Sequence, residues 1–282
     1  MKENQEKLKK ALDERTKEVV EQKELIEAKN KDITDSILYA KNIQNAMLPP
    51  RGSLSNYFHD AFVYYKPRDI VSGDFFWVSQ FGTKTIVACA DCTGHGVPGA
   101  FMSLIGVTIL KDAAKSKDVQ SPSELLTKLD HELNAILNKK LSEDSVKDGM
   151  DISIIDFDTE TKVLRFGSAN RPIFIKRKND FIELRGDRRS IGDPFERGST
   201  GYNIQEVQLE KGDVIYMFTD GITDQFGGPF IKKIKRKGVL DFLKSISHLS
   251  MEEQSEAVRR FIREWKGEHE QLDDMLLIAF QI

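Results

Sequence analysis

Residues 86–106, IVACADCTGHGVPGAFMSLIG, hold the pattern on which the reading of the whole chain depends. The apolar run Ile86–Ala90 reads as a buried strand that delivers one carboxylate, Asp91, to its end. Thr93, Gly94, His95 and Gly96 then turn the backbone sharply, and a helix is expected from Pro98, because proline is tolerated in the first helical turn. An acid held at such a turn can reach a metal ion. The other acids therefore matter according to whether they can converge on Asp91.

Upstream, AFVYYKP and FFWVSQF carry the aromatic and β-branched residues of strands, with Ser72, Gly73 and Gly82 as turn residues. Downstream, the helix over 98–115 is followed by a second over 122–140, capped by Ser121 with Glu124 in the capping-box position. MDISIIDFD, KVLRFGSA, RPIFIKRK and FIELRG then follow one another across short polar turns, a spacing that favours an antiparallel meander. NIQEVQLE and DVIYMFTD add two strands, residues 236–247 and 250–266 read as helices, and DMLLIAFQI closes the chain as a buried strand. Strands that mostly succeed one another directly predict an α+β layered domain rather than a parallel α/β sheet.

The first 47 residues lack glycine and proline, and apolar residues recur every seventh position at Leu12, Val19, Ile26, Ile33, Ala40 and Met47. The companion column, Leu8, Arg15, Gln22, Lys29, Ser36 and Ile43, is polar in its middle, so only half of a coiled-coil seam is present. A long, weakly pairing helix is expected, with a solvated single helix as the alternative; Pro49, Pro50 and Gly52 end it. A segment poised between two packings is one that an upstream signal can bias. The chain is thus divided into a helical regulatory segment, 1–50, and a domain, 51–282.

With 39% hydrophobic residues in 282, the chain can bury a sizeable core, and a net charge of −3 argues against nucleic acid as a partner. No uninterrupted apolar run approaches the roughly 20 residues of a membrane span. The N-terminus lacks the apolar segment of a signal peptide, and two cysteines make no disulfide framework, so a cytoplasmic protein is expected.

Several carboxylates share one context, the end of a strand or an adjacent turn: Asp74 in DIVSGDFFW, Asp91, Asp220 in MFTDGITD, and Asp273 and Asp274 in QLDDMLLI. Any one of them could be a simple turn residue. Acids from separate strands are also what builds a site for Mg2+ or Mn2+.

Taken in order, DIVSGDFFW, ADCTGHG, FTDGITD and DDMLLI resemble the bacterial branch of the metal-dependent protein phosphatases, the protein phosphatase 2C superfamily, typified by stage II sporulation protein E. The likeness covers residues 60–282, and the helix ending ITDSILYAKNIQNAMLP resembles the segment that precedes this domain in bacterial members. It implies two packed antiparallel sheets flanked by helices, an αββα sandwich, with two Mn2+ or Mg2+ ions at the sheet edges. It also implies that Asp91 bridges the metals, that the Cys92 carbonyl and the carboxylates of Asp74, Asp220 and Asp273 complete the ligands, and that Asp274 is the less favoured of its pair. The implied activity is hydrolysis of phosphoserine or phosphothreonine by metal-activated water on a bacterial signalling phosphoprotein, in relatives often an anti-sigma-factor antagonist. A homodimer through the N-terminal helix is expected.

Other residues admit two readings. Cys89 and Cys92 form a C-x-x-C that could be a redox pair or half a zinc site, although Cys89 lies within an apolar strand and no second pair exists. His95 could protonate the leaving alcohol or merely stabilise the turn; eukaryotic relatives carry their histidine two residues after the acid, not four. Arg68 could clamp the phosphate or lie on the surface, the basic run from Lys232 to Lys237 could meet an acidic partner or solvent, and the role of Asn170 is open. Two alternatives to an enzyme of this kind are an inactive phosphatase-like adaptor that binds phosphoproteins and a metal-dependent nuclease. Four clustered acids count against the first, and the acidic balance counts against the second.

Overall fold

A computed structural model describes residues 2–50, 52–58, 60–115, 121–137, 148–193 and 201–282. The last residues of the second helix expected from sequence, 138–140, lie outside them. The chain divides into two compact units, 1–43 and 44–282. The first consists of most of helix α1 (Lys2–Met47), whose column Leu12, Val19, Ile26 and Ile33 is exposed along its length.

The second unit opens with the last turn of α1 and a short 3-10 turn, followed by β1 (Asp60–Lys66), β2 (Phe75–Phe81) and β3 (Lys84–Cys92). Helices α2 (Gly96–Ala113) and α3 (Pro122–Ile136) come next, then β4 (Met150–Asp158), β5 (Val163–Ala169), β6 (Ile173–Arg177), β7 (Asp180–Leu184), β8 (Gln205–Gln208) and β9 (Val214–Phe218). After a one-turn helix α4 (Asp220–Asp224) and a small hairpin, β10 (Phe226–Gly227) with β11 (Lys232–Lys233), the chain ends with α5 (Lys235–Ile246), α6 (Met251–Lys266) and β12 (Met275–Gln281).

Two five-stranded antiparallel sheets result, ordered β1-β12-β9-β6-β7 and β2-β3-β4-β5-β8. Three apolar layers hold them together, and strand parity assigns each residue to its layer. On β3, Ala88, Ala90 and Cys92 face α2 and α3, whereas Val87 and Cys89 face the opposite sheet. On β12, Leu276, Ile278 and Phe280 fill the space between the sheets, and Met275, Leu277 and Ala279 pack against α5 and α6. The αββα sandwich expected from sequence is therefore the observed architecture.

The four strands β4 to β7 do not form the single meander that their spacing suggested. β4 and β5 pair in one sheet, while β6 and β7 pair in the other. The break falls at Asn170–Arg171–Pro172, where Asn170 adopts φ 64 and Pro172 has no amide hydrogen for a ladder bond. Helix α2 is long and apolar enough to cross a membrane by length and composition, but half of it is packed inside the fold, against α3 and the sheet bearing β3.

Candidate functional site

The parity that builds the core also aims the acids. Asp91 lies two residues beyond Cys89 and four beyond Val87, so it shares their face between the sheets, at the open end of β3. By the same count Asp74 precedes Phe76 and Val78 on that face of β2. From the opposite sheet, β9 leads into Thr219 and Asp220, and Asp273 and Asp274 immediately precede β12. Asp91, Asp220 and Asp273 border an open cavity of about 310 Å³, together with Asp151, Arg171 and Ser190.

Close backbone approach makes the convergence possible. A Cβ on Gly73 would stand 2.7 Å from the Gly94 carbonyl oxygen, and one on Gly99 would overlap the same atom. The loops carrying Asp74 and Asp91 therefore touch backbone to backbone. Gly94 and Gly96 both take φ in the left-handed region, at +83 and +63, as the sharp turn after Asp91 requires. A Cβ on Gly221 would overlap the Asp274 carbonyl, so glycine at 221 lets the segments bearing Asp220 and Asp273 meet.

Asp74 is buried behind the cavity and accepts a hydrogen bond from Thr219 Oγ1 at 2.6 Å, which links the two sheets. Its backbone is fixed too: its amide donates to Ser72 Oγ at 3.1 Å and its carbonyl accepts from the Tyr65 hydroxyl at 3.0 Å. Burial, then the Asp91 charge, pushes the Asp74 carboxyl well above the usual carboxylate range. Burial also raises Asp91, with Asp220 adding to the rise and Arg171 opposing it; Asp273 is raised by burial and by Asp220. These acids repel one another in a partly dehydrated space.

The adjacent carboxylates Asp273 and Asp274 are used differently. Asp273 borders the cavity and accepts from the Asp274 amide at 2.9 Å. Asp274 is buried and accepts two backbone hydrogen bonds of 2.7 Å, one from Arg68 and one from Gly73. It clasps the loop that presents Asp74. Arg68 itself donates from Nη1 to the Leu272 carbonyl at 2.9 Å and does not border the cavity among the described residues.

His95 occupies the N-cap position of α2 without a side-chain capping bond and does not border the cavity among the described residues; its Nδ1 lies 2.7 Å from Asp69 Oδ2, both side chains being about half exposed. Cys92 borders the cavity while its side chain packs on the helix side of the sheet. Cys89 faces the other way, and both thiols are free and buried, with burial raising their pKa. Residues three apart on a strand point to opposite faces, so this C-x-x-C forms neither a redox pair nor a zinc site.

Three polar or charged cavity residues, Asp151, Arg171 and Ser190, are not legible in the sequence. Asp151 is the cross-strand partner of Asp91, and Arg171 is the basic residue of the cavity lining among the described residues. Arg171 Nη2 donates to Asp91 Oδ2 and, at 2.9 Å, to Asp220 Oδ2, while its Nε lies 3.6 Å from Asp151 Oδ2. Burial lowers the guanidinium pKa, but Asp91, Asp220 and Asp151 together hold it above its ordinary value. Asn170, whose role was open, donates to Asp151 Oδ1 at 3.1 Å and to Ser190 Oγ at 2.9 Å. The register of β3 on β4 brings Asp151 to the site, and nothing local in MDISIIDFD encodes that register.

Two antiparallel sheets between helix pairs, with acids from both sheets gathered at one end, define a PP2C-type phosphatase fold. Residues 82–282 match the sequence model of the stage II sporulation protein E (SpoIIE) family, and the chain belongs to that family. It is similar to the SiaA-PP2C domain of Pseudomonas aeruginosa, with 31% identity and a TM-score of 0.81 over 90% of this chain and 98% of that one. The PP2C phosphatase domain of SpoIIE from Bacillus subtilis, solved with a fragment of its regulatory domain, shares the fold at 20% identity and a TM-score of 0.62, over 79% of this chain and 61% of that one. So does RsbX, solved in complex with magnesium, at 17% identity and a TM-score of 0.51, over 78% and 94% of the two chains. No match was found among curated proteins.

PP2C-type phosphatases are a metal-dependent family. Among the described residues, no three acidic, histidine or cysteine side chains stand at chelating spacing as they are. The donor chemistry nevertheless fits a hard dication: Asp91 and Asp273 border a space open to solvent with Asp74 buried behind it, and burial and mutual repulsion raise the pKa of all three.

Proposed function

We propose that this chain is a serine/threonine protein phosphatase that depends on two Mn2+ or Mg2+ ions. The observation that carries the reading is the convergence of Asp74, Asp91, Asp220 and Asp273 from the two sheets on one cavity wall and the space behind it. Asp91 would be the acid shared by the two ions, and Asp74, Asp220, Asp273 and the Cys92 carbonyl would be the other groups that hold them. When bound, the ions supply an activated water and neutralise phosphoryl charge, which is the chemistry that an anionic ester needs.

The chain's own residues prepare that site. Thr219 orients Asp74 by a hydrogen bond to Oδ2, leaving Oδ1 for a cation. Asp274 holds the 68–73 loop by its two amides rather than acting as a ligand. His95, whose Nδ1 is held by Asp69 beside the turn that follows Asp91, would give a proton from Nε2 to the departing serine or threonine alkoxide only as the imidazolium, because the neutral ring with Nδ1–H toward Asp69 leaves Nε2 without one. Arg68, engaged with the Leu272 carbonyl, serves the loop rather than the phosphate.

The substrate is a bacterial signalling phosphoprotein of the anti-sigma-factor-antagonist type, and the setting is the reducing cytoplasm, in keeping with two free cysteines. Regulation runs through α1. Its exposed seven-residue column favours pairing of two helices and hence a homodimer through residues 8–47. At its end, buried Gln44 donates to the Ser72 carbonyl at 2.6 Å and to Ser103 Oγ at 2.9 Å, two residues from Asp74. A shift of that turn would move the loop that presents Asp74.

Release of phosphate from phosphoserine peptides or p-nitrophenyl phosphate with Mn2+ tests the activity, and Asp91→Asn is expected to abolish it. An Asp91→Asn protein as active as the parent would refute the bridging role. A protein that shows no paired Mn2+ binding in calorimetry and hydrolyses neither substrate would favour the adaptor reading. Light scattering of the full chain against one starting at Pro49 tests the dimer, and equal monomeric masses would sink it.

A further inference from the structure

Asp91 and Asp151 stand directly opposite each other on β3 and β4, an arrangement of like charges that is unfavourable unless something compensates it. Arg171 supplies the compensation. It sits at the switch between sheets, where its amide donates to the Ala169 carbonyl at 2.9 Å, the Asn170 amide donates to the Asp187 carbonyl at 2.8 Å, and Ser168 Oγ donates to the Arg171 carbonyl. With the backbone fixed on both sides, the side chain extends across the acids. One of its nitrogens, Nη2, spans Asp91, on β3, and Asp220, which opens α4 just beyond β9 of the other sheet.

Asp151 has a separate task. Its Oδ1 accepts from Ser190 Oγ at 2.5 Å and from Asn170 Nδ2 at 3.1 Å, which turns Oδ2 toward Arg171. Arg171 Nε is buried without a hydrogen-bond partner, 3.6 Å from that oxygen. The guanidinium is thus hydrogen-bonded to Asp91 and Asp220 and lies within ion-pair reach of Asp151 without a hydrogen bond to it, which leaves Asp151 as the nearest other acid to which it can turn.

We propose that Arg171 is an internal cation that competes with the divalent ion for Asp91 and Asp220 and so sets how tightly the site binds metal, Asp151 being the acid that receives the guanidinium when it yields. This rests on the phosphatase reading only in taking a dication to bind these acids. A monocation already bonded to two of the ligands must be displaced before a dication can use the same oxygens, and its charge opposes the incoming ion. Metal affinity is therefore held below what the carboxylates alone would give. Turnover then becomes sensitive to anything that shifts Arg171.

The test is calorimetric titration of Mn2+ into the full-length parent, Arg171→Gln and Arg171→Lys, with thermal unfolding in EDTA and in Mn2+ as a second readout. Arg171→Gln is expected to bind Mn2+ at least about tenfold tighter than the parent. It should melt lower in EDTA, where the acids lose their counter-charge, and gain more from Mn2+ than the parent does. Arg171→Lys, a point charge that cannot span two carboxylates in the same way, should fall between the two and keeps the comparison valid if the Gln variant does not fold in EDTA. Unchanged or weaker Mn2+ binding by both variants would overturn the proposal and make Arg171 an organiser of the acids. A parent that hydrolyses phosphoserine peptides while the variants bind no tighter sinks this inference alone, whereas a parent that takes up no Mn2+ sinks the phosphatase reading with it.

Discussion

Replacing Asp274 with Asn should destabilise the metal-free fold, whereas replacing its neighbour Asp273 with Asn should not. Asp274 accepts the amides of Arg68 and Gly73, each at 2.7 Å, and is buried. An asparagine keeps one acceptor oxygen but turns an NH2 group toward the other amide. A hydrogen bond to a charged group contributes about 1.5–3 kcal/mol, and a buried donor left unpaired costs about 1–3 kcal/mol. The Gly73 amide is deep in the fold and the Arg68 amide nearer the surface, so we place the Asp274→Asn cost at about 2–4 kcal/mol. Asp273 is the reverse case. Burial and Asp220 raise its pKa, so its charge is a burden to the metal-free fold, and an asparagine can still accept the Asp274 amide. Asp273→Asn should be neutral or slightly stabilising. Urea unfolding of both variants and the parent in EDTA at neutral pH measures the difference. An Asp274→Asn protein within about 0.5 kcal/mol of the parent, or an Asp273→Asn protein just as unstable, would refute the division of labour between the two acids.

Gln44→Ala leaves the amide and carbonyl of Ser72 without their side-chain partner and should cost about 2–3 kcal/mol in urea unfolding, with a loss of Mn2+ affinity in calorimetry because the Asp74 loop loosens. Gly73→Ala drives a methyl group into the Gly94 carbonyl and should destabilise the fold by about 1–3 kcal/mol, read as a lower melting temperature. Ser250→Ala removes the capping box of α6 and should cost about 1 kcal/mol at neutral pH. The Ser250 amide and hydroxyl hold the Glu253 carboxyl below its ordinary pKa, so its stabilisation is present above the unfolded value and is lost as the pH falls through the folded one; the deficit of the variant should shrink in acid unfolding.

Much of the layered architecture is legible in the chain because burial has a period. The alternation along VACAD sends Val87 and Cys89 to one layer and Ala88 and Ala90 to the other, and the same count aims Asp91 between the sheets. Helices α3 and α6 announce themselves through Ser121 and Ser250, whose side chains accept from the amides three residues on. The glycines at 73, 94 and 221 read as turn residues, but their use lies in contacts with segments far away in sequence. The same distance hides Asp151, which becomes a site residue only through the register of β3 on β4.

By itself, then, the sequence determined the layers, the strand ends and the acids placed at them, because periodicity and capping are local properties of the chain. Tertiary structure decided how the four strands after α3 divide between two sheets, which of Asp273 and Asp274 faces the cavity, and which arginine meets the acids. Arg68 lies beside an acid in sequence yet turns to the Leu272 carbonyl, while Arg171, 80 residues from Asp91, reaches it across the sheet switch. Charge pairing depends on distance in space, and the chain alone does not contain that distance until two sheets are packed face to face.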